Sequence, residues 1–235
     1  MYILSLIIPC YNENDNIYPI FEKLSVFDEN IEIIFVDNGS TDKTRERICN
    51  KISEKNKHNI KCISVSKNIG YGHGIITGIK NATGNVIAWT HADLQTDPND
   101  VLEAYKKFIA HPKYPNCILK GRRVGRNFFD SLFTAGMSFL STFLLRVPLS
   151  DVNAQPKMFN KKFLVEMKNP PLDFSLDLYL LFKAHVNNYR ILEYEVNFGK
   201  RLYGESKGGG TLIGKLKLIK RTFKYIVKLK KELGR

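Results

Sequence analysis

Between residues 3 and 110, short apolar runs alternate four times with segments of helical length, and few folds accommodate that rhythm. Ile3 to Ile8, Ile31 to Val36, Ile60 to Val65 and Val86 to Trp89 are runs of strand length. After each come turn-forming residues and then a helix-like stretch: Asn14 to Leu24, about Lys43 to Lys55, about Tyr71 to Asn81, and Asp97 to Ala110. Such a βαβα succession covers both faces of its strands as a parallel sheet flanked by helices. The expected class is α/β, with a Rossmann-like, mostly parallel sheet.

The second half is less regular. Cys117 to Lys120 reads as a short strand, followed by the basic GRRVGR and an apolar helix from about Phe128 to Leu145. Phe163 to Met167 and Leu176 to His185 read as helical, and Ile191 to Val196 as a strand. The Gly-rich KRLYGESKGGG then leads into a basic terminal helix. At 235 residues, with no internal repeat and no low-complexity linker, the chain fits a single domain with an appendage.

The net charge of +13 is unevenly placed, because residues 211–235 hold nine Lys/Arg against one acid, Glu232. Leu212, Leu216, Ile219, Phe223 and Ile226 share one face of that helix, and Lys217, Lys220, Arg221, Lys224, Lys228 and Lys231 group on another. A basic amphipathic helix of this kind lies on an anionic bilayer or packs on its own domain with a solvated basic face. No nucleic-acid-binding module accompanies it, so nucleic acid is not an expected partner. MYILSLIIPCYNEN lacks a basic leader and a cleavage site and reads as a buried first strand. The longest candidate span, Leu132 to Leu145, is interrupted by Thr134, Gly136, Ser138, Ser141 and Thr142. The four cysteines show no CxxC spacing, which fits a reducing cytoplasm.

Three loops could carry chemistry. In IAWTHADLQTDP the strand stops at His91, Asp93 and Gln95, side chains able to hold a cation at the end of a parallel strand. The competing reading is an ordinary polar turn. With its imidazole, the set would favour Mn²⁺ over Mg²⁺. Asp37, Asn38, Ser40 and Asp42 follow the second strand, where a carboxylate can accept hydrogen bonds from a base or ribose; alternatively Ser40 or Thr41 caps the next helix. In Lys67-Asn-Ile-Gly70-Tyr-Gly72-His-Gly74 the glycines suit either a phosphate cradle, with Lys67 and Gly70 at the ligand, or close packing of a helix start on the sheet, the favoured reading.

Taken in order, IPCYNEN, FVDNGSTDKT, NIGYGHG, HADLQTDP, GRR, SDVNAQPKMF and FGKRLYGESKGGG resemble glycosyltransferase family 2. They look most like its dolichyl-phosphate mannosyltransferase and bacterial polyprenyl-phosphate glycosyltransferase branch. The resemblance implies a GT-A fold, a UDP- or GDP-linked sugar donor, Mn²⁺ or Mg²⁺, and inversion at the anomeric carbon. It implies that residues 1–210 are the catalytic domain, 1–115 its nucleotide-sugar half and 116–210 its acceptor half and lid. By position, Pro9, Tyr11, Glu13 and Asp37 would line the nucleoside pocket; Ala92, Asp93 and Gln95 would meet metal and diphosphate; Arg123 and Arg201 would face phosphates. Leu202 to Gly210 resembles the family's lid. A polyprenyl phosphate or a cell-surface glycan is the implied acceptor, and the cytoplasmic face of a membrane the implied place.

Two departures stand out. His91 replaces the first Asp of the usual DADLQ, and Asn38 the second Asp of VDDGS. Around Phe128 to Ser131, where related enzymes carry basic residues, only Arg126 is near. A hydroxyl acceptor needs a carboxylate base, for which Asp151 and then Asp177 are candidates, each with a structural alternative as ion pair or helix-start charge. Two other readings are a sugar nucleotidyltransferase, whose Gly-rich N-terminal signature PCYNEN lacks, and a degenerate homologue weakened at His91.

Overall fold

The computed structural model describes residues 2–125, 136, 138, 141–201 and 203, and the helix at 212–232 without all of its side chains. Seven strands form one sheet: β1 (Leu4–Cys10), β2 (Ile31–Asp37), β3 (Ile60–Ser64), β4 (Val86–Trp89), β5 (Cys117–Val124), β6 (Lys157–Asn160) and β7 (Arg190–Asn197). Their order is β3-β2-β1-β4-β6-β5-β7. The chain winds outward from β1 through β2 to β3, then returns to place β4 on the other side of β1. At such a reversal the loops after the two strands diverge and leave a crevice.

Only β6 runs against the rest, antiparallel to both β4 and β5, while β5 and β7 pair in parallel. The sheet is therefore mostly parallel, as expected, but β6 has no counterpart in the sequence reading. β5 also extends past Lys120 to Val124, so the basic GRR belongs to the strand: Arg122 and Arg123 lie opposite Glu195 and Val196 of β7.

Helices cover both faces: α1 (Ile17–Lys23), α2 (Thr44–Lys55) and α4 (Asp100–Ile109) on one, α3 (Tyr71–Lys80), α5 (Leu176–Val186) and α6 (Leu212–Glu232) on the other. Alternation along β1 sends Leu6 and Ile8 to the first layer, with Phe21, Phe35 and Phe108, and Ile7 to the second, with Trp89, Phe182 and Ile226. Gly78 brings α3 hard onto the sheet, since a Cβ there would stand 2.4 Å from the Ile7 side chain. Phe163 to Met167, expected to be helical, overlaps a six-residue 3-10 helix at Lys161–Glu166.

The basic terminal helix is docked on the domain. Ile226 and Leu229 are buried in the second layer, whereas Phe223, expected on the apolar face, is 46% exposed. Lys220, Lys224 and Lys228 face outward. No helix among the described residues is long and apolar enough to cross a membrane. Of the expected helix from Phe128 to Leu145, residues 141–145 are helical; Arg126, Phe128 to Ser131 and the lid, apart from Tyr203, lie outside the described residues.

Candidate active site

Because six strands share a direction, the ends of β1, β2, β4, β5 and β7 and the beginning of β6 all meet at one edge of the sheet. On the β2 side, Asp37 is buried and accepts the Ser40 amide at 3.0 Å. It borders a cleft of about 770 Å³ with Ser40, Asp42, Glu46 and Ser64. Pro9 sits in β1 beside Val36, and Tyr11 is half-buried in the loop that follows. The start of α2 is held by Asp42, which accepts from the Thr44 amide at 3.0 Å. Ser40 and Thr41, expected as caps, instead tie this loop to Asn12.

The neighbouring glycines serve close approach. Asn38 is buried and donates from Nδ2 to the Gly70 carbonyl at 2.9 Å. Gly70 has φ +146°, and a Cβ there would lie 2.2 Å from the Leu172 carbonyl; one at Gly72 would lie 2.6 Å from that of Pro171. The helix start is closely packed, but on the 171–173 loop and not, as expected, on the sheet. Lys67 is exposed.

At the end of β4, Asp93 is buried and accepts the Gln95 amide at 3.1 Å and Arg201 Nη2 at 2.6 Å. Arg201 Nη1 lies 3.9 Å from Glu13 Oε1, so one guanidinium serves two carboxylates. It arrives there because the chain after β7 pairs with the turn: Gly199 donates to the Gln95 carbonyl at 2.8 Å, and Gln95 Nε2 returns a bond to Gly199 at 3.2 Å. Ala92 is buried beside Asp93. Burial holds the His91 imidazole below its ordinary pKa, against the pull of Asp93 and Asp177. Among the described residues no three His, Cys, Asp or Glu side chains gather into a metal cage.

On the β5–β6 side each carboxylate has its own cation. Arg123 donates to Asp151 from its amide at 2.8 Å, from Nε at 2.9 Å and from Nη2. Burial alone would raise the Asp151 pKa; the Arg123 bonds and charge outweigh it and hold the carboxyl below its usual value. Lys120 Nζ stands 2.8 Å from Glu193. Asp177, 1% exposed, faces Lys157 Nζ at 3.8 Å and takes two 3.2 Å bonds from Gln155 Nε2. Gln155 also donates to the Tyr71 hydroxyl at 3.1 Å. Burial lowers the Lys157 pKa to about 8 despite Asp177.

The edge thus gathers the residues singled out on both halves. Tyr71, Gln155, Lys157 and Phe174 join them and are not among the residues expected from the motifs. An aromatic between two glycines, and a lysine inside an apolar QPKMF, were the available signals.

Residues 5–168 match the family model described as glycosyl transferase family 2. The chain belongs to glycosyl transferase family 2. A dolichol-phosphate mannosyltransferase from Pyrococcus furiosus is 28% identical over 94% of this chain and 64% of its own length. An undecaprenyl-phosphate 4-deoxy-4-formamido-L-arabinose transferase from Pectobacterium carotovorum is 32% identical over 42% of this chain and 31% of its own. These relatives belong to the polyprenyl-phosphate branch indicated by the motif order. The chain spans just under two thirds of the first and about a third of the second.

Solved structures share the GT-A fold at low identity. A mannosyltransferase from Pyrobaculum calidifontis, in complex with GDP-Man and Mn²⁺, superposes with TM-score 0.65 at 18% identity, over 88% of this chain and 58% of that one. A glucosyl-3-phosphoglycerate synthase from Mycobacterium tuberculosis, with Mn²⁺, UDP-Glc and phosphoglyceric acid, gives 0.73 at 14%, over 97% and 79%.

Proposed function

We propose that this family 2 protein transfers a hexose from a UDP- or GDP-linked donor to a polyprenyl phosphate, with inversion. A phosphate oxygen of the acceptor bonds to the anomeric carbon as the bond from that carbon to the donor diphosphate breaks, its electron pair leaving with the diphosphate. The observation that carries this choice of acceptor is the pairing on the β5–β6 side. Both carboxylates placed to act as bases are engaged, Asp151 by Arg123 and Asp177 by Lys157 and Gln155. A sugar hydroxyl would need one of them unencumbered, whereas a phosphate is already anionic and needs no base. In this reading Asp151 orients Arg123 toward the acceptor phosphate, and Asp177 fixes Lys157 and Gln155.

On the other side, Asp37 receives the nucleoside with Pro9, Tyr11 and Glu13 around it, and Asn38 and Gly70 shape the loop behind. Lys67, at the exposed rim, is in reach of a phosphate only by virtue of its length. The donor set at the β4 turn suits a divalent cation that takes most of its ligands from its substrate: one carboxylate, Asp93, with the Gln95 amide and the imidazole of His91 beside it. The Arg201 guanidinium bridging Glu13 and Asp93 marks where positive charge is wanted. Asp93, Gln95 and His91 would hold Mn²⁺ or Mg²⁺, which would offset the charge of the departing diphosphate. Arg201, placed at this turn, would pair with a phosphate oxygen of the donor through its planar fork. The exposed Lys220, Lys224 and Lys228 support a peripheral place on an anionic membrane at its cytoplasmic face.

Incubation of the full chain with Mn²⁺, undecaprenyl phosphate and labelled UDP-glucose or GDP-mannose tests this directly. The expected result is an organic-soluble labelled product with one donor. Label appearing only on a saccharide acceptor would overturn the acceptor assignment.

A further inference from the structure

An aromatic column runs from the terminal helix into the crevice. The Arg221 guanidinium of α6 lies 4.8 Å above the Phe174 ring. Phe174 stacks on Tyr71 with centroids 4.8 Å apart and planes 7° from parallel, and Tyr71 stands 5.8 Å from the His91 ring. Tyr71 is held from its backbone as well. The glycines on either side of it, Gly70 and Gly72, press against the 171–173 loop that leads to Phe174, and the His73 amide donates to the Leu172 carbonyl at 2.9 Å.

The hydrogen-bond polarity of the inner end is fixed by charge. Gln155 lies between the Asp177 carboxylate and the Tyr71 hydroxyl. With an anion at 3.2 Å on one side, the amide must turn Nε2 inward, since Oε1 there would face both carboxylate oxygens. Nε2 therefore donates to the phenol oxygen, and the phenol O–H is left to donate in its turn. Among the described residues that O–H meets no acceptor. The half-buried phenol stands beside His91, at the turn that follows β4.

We propose that Tyr71 is a substrate-contacting residue that donates a hydrogen bond to an oxygen of the transferred sugar, and that Phe174, Arg221, Gln155 and Asp177 are the residues that position it. The terminal helix is in this view part of the active-site architecture through Arg221, in addition to any role at a membrane surface. The inference rests on the transferase reading and names how its sugar subsite is built.

The test compares wild type, Tyr71→Phe, Arg221→Ala and Arg221→Lys in the full chain. With Mn²⁺ present, calorimetry measures UDP and GDP against UDP-glucose and GDP-mannose, alongside kcat and KM for the active donor. Tyr71→Phe keeps the ring stack and removes only the donor. It is expected to leave nucleoside diphosphate affinity within twofold while lowering kcat/KM for the nucleotide sugar by about tenfold, the scale of one hydrogen bond. Arg221→Ala is expected to lower kcat with KM for the donor little changed, and Arg221→Lys to restore part of it. Equal kcat/KM for Tyr71→Phe and wild type would overturn the inference and leave the transferase reading standing. A wild type that binds neither nucleotide sugar would remove the reading and the inference together. Should Tyr71→Phe fail to fold, full activity in both Arg221 variants and in Phe174→Leu would overturn it instead.

Discussion

The two sides of the crevice handle charge in opposite ways. By the ends of β1 and β4, Glu13 and Asp93 share one guanidinium, Arg201, and Asp37 and Asp42 lie close by, held by backbone amides. Around β5 and β6, Asp151 has Arg123, Asp177 has Lys157 and Glu193 has Lys120. The first side carries negative charge in excess and is completed by what binds there. A cation there would ease the approach of a diphosphate, with Lys43 and Arg45 at the edge of the Asp37 cleft adding to it. The second side is balanced in advance, so its groups are fixed before any ligand arrives, at the cost that breaking one pair strands the other member.

That contrast can be broken most forcefully at Asp177. Replacing it with Asn leaves Lys157, wholly buried, without its countercharge, and urea unfolding at pH 7 is expected to show a loss of roughly 3–5 kcal/mol. A loss under about 1 kcal/mol would mean that the pair is not holding this side together. Lys157 also has a pH signature. Its folded pKa of about 8 lies below its unfolded value of 10.5, so the unfolded chain binds more protons between them. Stability should accordingly rise as pH climbs from about 8 to 10.5, relative to Lys157→Met, and a flat difference across that window would contradict the burial of the charge.

On the donor side Asp93→Ala should act the other way, lowering kcat by about 10²- to 10³-fold, the loss typical of a group that offsets transition-state charge. Its stability should stay within about 1 kcal/mol of wild type, since Arg201 keeps Glu13. Stopped assays and thermal unfolding on one preparation check both halves. A smaller effect is expected from the Arg123–Asp151 pair, where a double-mutant cycle to Ala should give a coupling of about 0.5–3 kcal/mol. Asp151 is held below its unfolded pKa, so its contribution is present above that value and lost as pH falls through the folded one. The coupling should therefore vanish in acid. Smallest of all, single Lys→Gln changes at Lys220 or Lys224 should each weaken sedimentation with anionic vesicles by about 1 kcal/mol, an effect abolished in high salt.

Much of this was readable in the chain. β1 to β4 are apolar runs ended by turn residues, and the structure places them within two residues of the expected bounds, Val86–Trp89 without change. The turn at Asp93 and the cleft at Asp37 follow from them, because parallel strands put their following loops on one edge. What escaped is on the balanced side. KMFN is four residues long and opens with a lysine, so no period marks β6, and Asp177, the partner of Lys157, lies twenty residues further along the chain in α5, in no local pattern. Arg122 and Arg123 read as a loop because charge ended the apolar run; Glu195 across the strand and Asp151 from another loop accommodate them. The terminal helix showed its two faces in sequence, but Arg221 belongs to the Phe174 contact rather than the outer basic face, and only tertiary packing reveals that.

The central claim is that the turn at Asp93 grips a cation-bound diphosphate. Titration of UDP and GDP into wild type and Asp93→Ala, each with and without Mn²⁺, tests it most directly. Saturable binding to wild type that needs Mn²⁺ and disappears in Asp93→Ala is the predicted result. Equal binding by both proteins, or binding indifferent to the metal, would contradict it.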